Sequence, residues 1–204
     1  FWPLSILVCG CSYFFQLSNF HNTHLVYFIL LVLWAARLSL YFLVTRIIPN
    51  HKEQRYLYLA SKATQKPPIL FLLHYILQSI FCFVMAIPFY FLFHTPAKPL
   101  NTLDTIGIII IVLGMINTAM ADQTLYHFKK SSMPQEVCQQ GWWQYSRHPN
   151  YFFEIIMWSG FFISSLNHPW GWTSIASPVL LFIIMRFMTG PLTEKLALTK
   201  RPQA

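Results

Sequence analysis

Arg147, His148, Asn150 and Glu154 stand close together where a polar connection runs into an apolar segment. Pro149, between them, suits the first position of a helix, where its missing N–H has no intrahelical partner to lose. The chain therefore predicts a helix from about Pro149 into Ile155-Ile156-Met157-Trp158. The first N–H groups of that helix, at Asn150, Tyr151 and Phe152, are expected to point back towards Arg147 and His148. A positive helix end beside a guanidinium suits a phosphate or another anion. Asn150 and Glu154 fall one turn apart on one face, with the carboxylate inside the apolar segment. Reading Tyr145 and Tyr151 as interface aromatics, Arg147 as a flanking charge and His148 as a cap accounts for the rest of the run. It leaves Asn150 and Glu154 without a purpose.

Other polar groups lie at membrane depth, where such groups turn into a bundle or a wet cavity. They are Arg37, Gln78, Asn117, Asp122 and Arg186. Arg37 lies about nine residues before Arg46, or about 13 Å deeper at helical rise, too far for easy snorkelling, so it requires a function or a buried partner. Arg46, Arg55 and Tyr56 line the connection below it; taken singly they read equally as solvated flanking residues. Thr118, Asp122 and Tyr126 repeat at four-residue spacing, with Lys129 near the same stripe. That stripe fits a surface ion pair or the ribose hydroxyls and phosphates of a nucleotide, and spacing does not choose between them. His148 has no second ligand at metal spacing, so no metal is expected. Ser146 has no nucleophile motif around it. Glycine-rich phosphate loops are absent, so any nucleotide is held by side chains and a helix end rather than by a Rossmann turn.

The elements that position these groups are membrane helices. Of 204 residues 55% are hydrophobic, 18% aromatic and only 10% charged. Apolar runs recur at the ~17–25-residue length that crosses a bilayer. Six are expected: 1–17, His24 to about Thr45, Ile69–His94 with a kink at Pro88, Leu103–Ala121, Asn150–Leu166 and Thr173–Thr189. Gln123–Phe128 is a possible continuation of the fourth, and 190–204 reads as a polar tail. The expected fold is all-α, a single polytopic bundle over 1–204. A start in mid-run at Phe1 reads as an N-terminally incomplete chain.

The net charge of +8 is spread between hydrophobic runs, which speaks against nucleic acid. Arg46, Lys52, Arg55, Lys62, Lys66, Lys129, Lys130, Arg147, Lys195, Lys200 and Arg201 all fall in connections on one face, against Lys98 on the other. The positive-inside rule puts the long loops and the C-terminus in the cytoplasm. Trp170 and Trp172 suit an aromatic belt on the far side. Cys9, Cys11, Cys82 and Cys138 read as packing residues.

The run Gly141-Trp142-Trp143-Gln144-Tyr145-Ser146-Arg147-His148-Pro149-Asn150-Tyr151-Phe152-Phe153-Glu154 resembles the signature of the steroid 5-alpha-reductase C-terminal family, whose superfamily includes the sterol C14 and 7-dehydrocholesterol reductases. Ala121-Asp122-Gln123 with Phe128-Lys129 is similar to a second element of that family. Trp34, Arg37, Leu38, Arg46, Glu53, Arg55 and Tyr56 resemble an element of its bacterial branch. Ser177-Pro178 and Gly190-Pro191-Leu192-Thr193-Glu194-Lys195 resemble its last-helix and tail patterns. The likeness covers about residues 30–200. Thr124 stands where the family has Lys, and Phe153 where it has a small residue.

The resemblance implies an oxidoreductase that reduces an activated C=C bond of a steroid- or isoprenoid-like lipid with NADPH. It places Asp122, Lys129, Trp143, Arg147, His148, Asn150, Tyr151 and Glu154 on the dinucleotide. Arg37, Arg46, Arg55 and Tyr56 are expected as phosphate contacts, and the substrate-polarising acid is not identified. Two alternatives stand beside it. Membrane methyltransferases of the isoprenylcysteine and phospholipid types share Arg-His-Pro-x-Tyr at a helix entrance and bind S-adenosylmethionine; they follow it with a Glu-Glu pair where this chain has Glu194-Lys195. A non-catalytic lipid-binding relative is the third.

Overall fold

Backbone polar groups have no water to bond with inside a bilayer, so a spanning chain satisfies them within helices. The computed structural model of the protein describes residues 2–17, 21–49, 67–96, 99–131, 133 and 136–200, and every regular element among them is helical. α1 is Trp2–Phe15; α2 is Asn22–Phe42, prolonged by a π turn at Leu43–Ile47; α3 is Pro67–His94; α4 is Thr102–Ser131; α5 is Pro149–Ser165. A 3₁₀ turn at Gly171–Ile175 leads into α6 (Ala176–Ile183), which passes through a π turn at Ile184–Thr189 into α7 (Gly190–Lys200).

Four stretches are long and apolar enough to cross a membrane: Asn22–Ile47, Phe71–His94, Thr102–Ser131 and Gly171–Leu196. They mark the chain as an integral membrane protein. The expectation of about six spans thus reduces to four by this measure. α1 has 14 residues and α5 has 17, which extend about 21 Å and about 25 Å against a hydrocarbon core of about 30 Å. Two boundaries also differ. α4 runs on from Ala121 to Ser131, taking in the Gln123–Phe128 continuation. Residues 190–200 of the polar tail form α7, because Leu, Glu, Lys and Ala are strong helix formers.

Small residues decide how the central pair meets. α4 buries Asp104, Gly107, Ile111, Gly114, Thr118, Ala121 and Asp122 along one stripe, and α4 with α5 is the most extensive pairing in the bundle. A Cβ added at Gly114 would lie 2.7 Å from the backbone nitrogen of Met157, and one at Gly160 would lie 2.7 Å from the Gly107 carbonyl oxygen. The two backbones therefore touch, the usual way membrane helices gain contact where lipid removes the hydrophobic drive. Around this pair Trp34, Phe89, Trp158 and Phe161 are fully buried. The Trp34 and Trp158 rings meet edge to face at 5.2 Å, and Phe89 and Phe161 at 4.9 Å.

Pro88 sits inside α3. It has no N–H to offer the carbonyl of Val84 one turn earlier. Ser177 on α6 supplies the missing donor, its hydroxyl bonding Val84 O at 2.8 Å. That contact docks α6 on α3 where the helix is weakest. Ser177→Ala is expected to lower stability by about 1 kcal/mol, read as a fall in the thermal unfolding midpoint of the detergent-solubilised protein; an unchanged midpoint would mean the Val84 carbonyl is satisfied in another way.

Candidate functional site

Arg37, on α2, faces two acids. Its Nη1 lies 3.0 Å from Asp122 Oδ2 on α4, and its Nη2 lies 3.3 Å from Glu154 Oε2 on α5. Asp122 and Glu154 are 5% and 4% exposed, so both carboxylates are removed from water and depend on their partners. Glu154 Oε1 accepts the indole N–H of Trp34 at 2.7 Å and that of Trp158 at 3.3 Å. Asp122 Oδ1 accepts the Asn150 amide at 3.0 Å. One guanidinium therefore serves two carboxylates, and three helices are tied through it. Arg37 Nε is buried with no hydrogen-bond partner among the described residues, a donor still to be used.

The helix spacing explains the convergence. Trp34 and Arg37 are one turn apart on α2, as are Asn150, Glu154 and Trp158 on α5, so each helix presents its polar groups on a single stripe. The close approach at Gly114 and Gly160 then brings the α4 and α5 stripes together.

The start of α5 departs from its expected form. Pro149 is indeed the first helical residue, with His148 as the cap position. The Tyr151 and Phe152 N–H groups, expected to be free for an anion, both bond the His148 carbonyl at 3.2 Å. A carboxylate stands at this end nonetheless. Glu194 on α7 lies 3.1 Å from His148 Nε2 and 3.6 Å from Arg147 Nη1. The His148 ring stacks on Tyr151 with centroids 4.9 Å apart. An acid thus meets the Arg147 guanidinium and the His148 ring at the helix start expected to hold an anion, through side chains rather than backbone.

The remaining expected residues are placed as follows. Trp143 lies in the 3₁₀ turn Gly141–Gln144 and donates its indole N–H to the Ala121 carbonyl at 2.9 Å, fastening that turn to α4 beside Asp122. Gly141 adopts φ +56°, a left-handed conformation glycine takes without strain. Arg46 lies in the π turn below Arg37, its guanidinium 4.6 Å from the centre of the Phe42 ring. Lys129 is in the last turn of α4. Thr118 is buried on the Asp122 stripe, while Lys130 lies over the Tyr126 ring. Arg55 and Tyr56 lie outside the described residues, as do Lys52, Lys62 and Lys66. Asn117 bonds its own helix at Leu113, and Arg186 lies over Phe187, so neither joins the cluster. Thr124 bonds back to Met120, and the Phe153 ring packs on Trp142 at 5.0 Å.

Sequence reasoning did not assign roles to Trp34, Trp158 or Glu194. Trp158 was within reach, one turn beyond Glu154 on the same face. Trp34 and Glu194 meet their partners only through tertiary packing.

Over residues 1–204 the chain matches a family described as protein of unknown function (DUF1295). It belongs to that family, which is steroid 5-alpha-reductase-like. No curated protein and no solved structure matches it.

Proposed function

We propose that this chain is a membrane reductase that takes NADPH at the Arg37 end of the bundle and reduces an activated C=C bond of a steroid- or isoprenoid-like lipid. The observation that carries this reading is the convergence of Arg37, Asp122, Asn150 and Glu154 beneath the Arg147-His148 helix start. Membership of a reductase-like family agrees with it. The charge pattern orients this end to the cytoplasm, where a soluble dinucleotide arrives, and makes the shorter α1 and α5 part of a six-helix arrangement.

The residues present suit a polyanionic dinucleotide. Arg147 is 85% exposed in its side chain, so its Glu194 partner is an exchangeable counter-ion rather than a fixed one. Arg147, His148, Arg46 and Lys129 hold phosphates in this reading, and Asp122 with Asn150 accepts and donates to ribose hydroxyls. Arg37 Nε, unpartnered among the described residues, supplies one further donor. When bound, NADPH supplies the hydride for the double bond. Trp34 and Trp158 fix the Glu154 carboxylate, and the apolar helices around it keep water from the reacting end.

The second reading, an S-adenosylmethionine-dependent membrane methyltransferase, rests on the shared Arg-His-Pro-x-Tyr helix entrance, whose His148 meets Glu194; Lys195 stands where those enzymes carry the second glutamate of a pair. Titration of the purified full chain with each cofactor separates them. NADPH is expected to bind saturably, with affinity falling at least about tenfold in Arg147→Ala and in Asn150→Ala, the scale of a lost charge-assisted hydrogen bond. Binding of S-adenosylmethionine in its place would favour the methyltransferase, and binding of neither a lipid-binding relative.

A further inference from the structure

At the opposite end of α4, about 27 Å from Asp122 at helical rise, a second polar cluster encloses a small cavity. Tyr27 on α2 donates its phenol to Asp104 Oδ1 at 2.6 Å, and Asn167, just after α5, donates to the same oxygen at 2.9 Å. Asp104 Oδ2 accepts the Asn101 N–H at 3.1 Å. Beside this carboxylate lies a cavity of about 10 Å³, whose lining includes His24, Tyr27, Thr95, Asp104 and Ser164.

Two atoms in that lining are buried with no hydrogen bond of normal geometry among the described residues. His24 is 3% exposed, and its Nε2 lies 3.1 Å from the Thr95 carbonyl oxygen. A carbonyl only accepts, so Nε2 carries the ring proton, and in the neutral imidazole Nδ1 is left as an acceptor. No described group donates to it. Ser164 is 0% exposed, and its hydroxyl also lacks a hydrogen bond of normal geometry. The Tyr27 phenol gives its proton to Asp104, and its oxygen lies within reach of the Ser164 hydroxyl as an acceptor, so the Ser164 proton is shared between that oxygen and the cavity. Buried polar atoms are nearly always satisfied, by protein or by ordered water.

We propose that this cavity binds one water molecule, which donates to His24 Nδ1, accepts from the Ser164 hydroxyl and directs its second proton to Asp104 Oδ2. The volume matches the ~10–15 Å³ that a single water needs, and the lining offers the two to four polar partners it requires. The space is too small for a larger ligand. A cation is disfavoured because Asp104 already receives three N–H or O–H donors, where a hard cation needs bare oxygen ligands. The water joins α2, α4 and α5 and, through His24 and Thr95, the end of α3. It makes this end of the bundle a hydrated polar clasp, independent of any cofactor at the other end.

The test is water-edited solid-state NMR of the full chain in lipid nanodiscs, with ¹⁵N-labelled histidine. Wild type is expected to show His24 protonated at Nε2, with magnetisation passing from bound water to an unprotonated Nδ1. Ser164→Ala removes one partner of the water, and the transfer to His24 is expected to fall severalfold. A wild-type Nδ1 that carries the proton or receives nothing from water would overturn the proposal without recourse to the variant, and so would unchanged transfer in Ser164→Ala. A His24 signal that moves when sodium is exchanged for choline would assign the cavity to a cation instead.

Discussion

Arg37→Met is expected to destabilise the folded protein by about 3–5 kcal/mol, the range for removing one partner of a buried ion pair. The substitution leaves two carboxylates, 5% and 4% exposed, with no cation between them. Glu154→Gln is expected to be milder, because the amide oxygen still accepts from Trp34 and Trp158 and the Arg37–Asp122 pair survives. The order of the two effects is the informative part. Denaturant unfolding in detergent micelles measures both, and equal losses would mean that Arg37 serves Glu154 alone.

Gly114→Ala is expected to cost about 3 kcal/mol, the upper end of the overpacking range. Its methyl would lie 2.7 Å from the Met157 nitrogen and 2.8 Å from its Cα. Backbone atoms on a helix cannot swing aside as a side-chain tip can, so α4 and α5 must separate. Separation also pulls Asp122 from Asn150, so NADPH affinity is expected to fall together with stability. Gly141→Ala makes the contrast. Its Cβ meets nothing closer than the Thr124 hydroxyl at 3.7 Å, so the cost is only that of the left-handed backbone, about 1–2 kcal/mol. Thermal unfolding of the two variants side by side tests the ranking, and a larger loss for Gly141→Ala would contradict backbone contact between α4 and α5.

The site was partly legible in the sequence, for a physical reason. Asn150 and Glu154 share a helix face whatever the tertiary structure, and a carboxylate placed inside an apolar run demands a partner. Arg37 is too deep to snorkel, so it too requires a function or a buried partner. What spacing could not supply was the pairing itself, since Asp122 and Glu154 reach Arg37 only because glycines let α4 and α5 touch. The same limit hid Glu194, whose position beside His148 depends on the course of the chain through the π turn at Ile184–Thr189. Of the three helix N–H groups expected to be free, those of Tyr151 and Phe152 bond the carbonyl of the cap residue His148, as the first intrahelical bonds of a helix do. Span length was the weakest reading: apolar composition marks a segment as buried in a bundle or in lipid, and α1 and α5 are short enough for either. The far cluster forms only in the tertiary structure, where Tyr27 and Asn167 reach Asp104 from 77 and 63 residues away in sequence.

Hydride transfer is the central claim, and isotope labelling reaches it most directly. The purified full chain, in nanodiscs with a mixture of enone-bearing sterol and isoprenoid lipids, is supplied with NADPH deuterated at the transferring nicotinamide carbon. The account predicts one deuterium on the β-carbon of a saturated lipid product, formed at least about tenfold more slowly at limiting NADPH in Arg147→Ala and Asn150→Ala. Deuterium that stays on the cofactor, while a labelled methyl group from S-adenosylmethionine appears in the lipid, would contradict it.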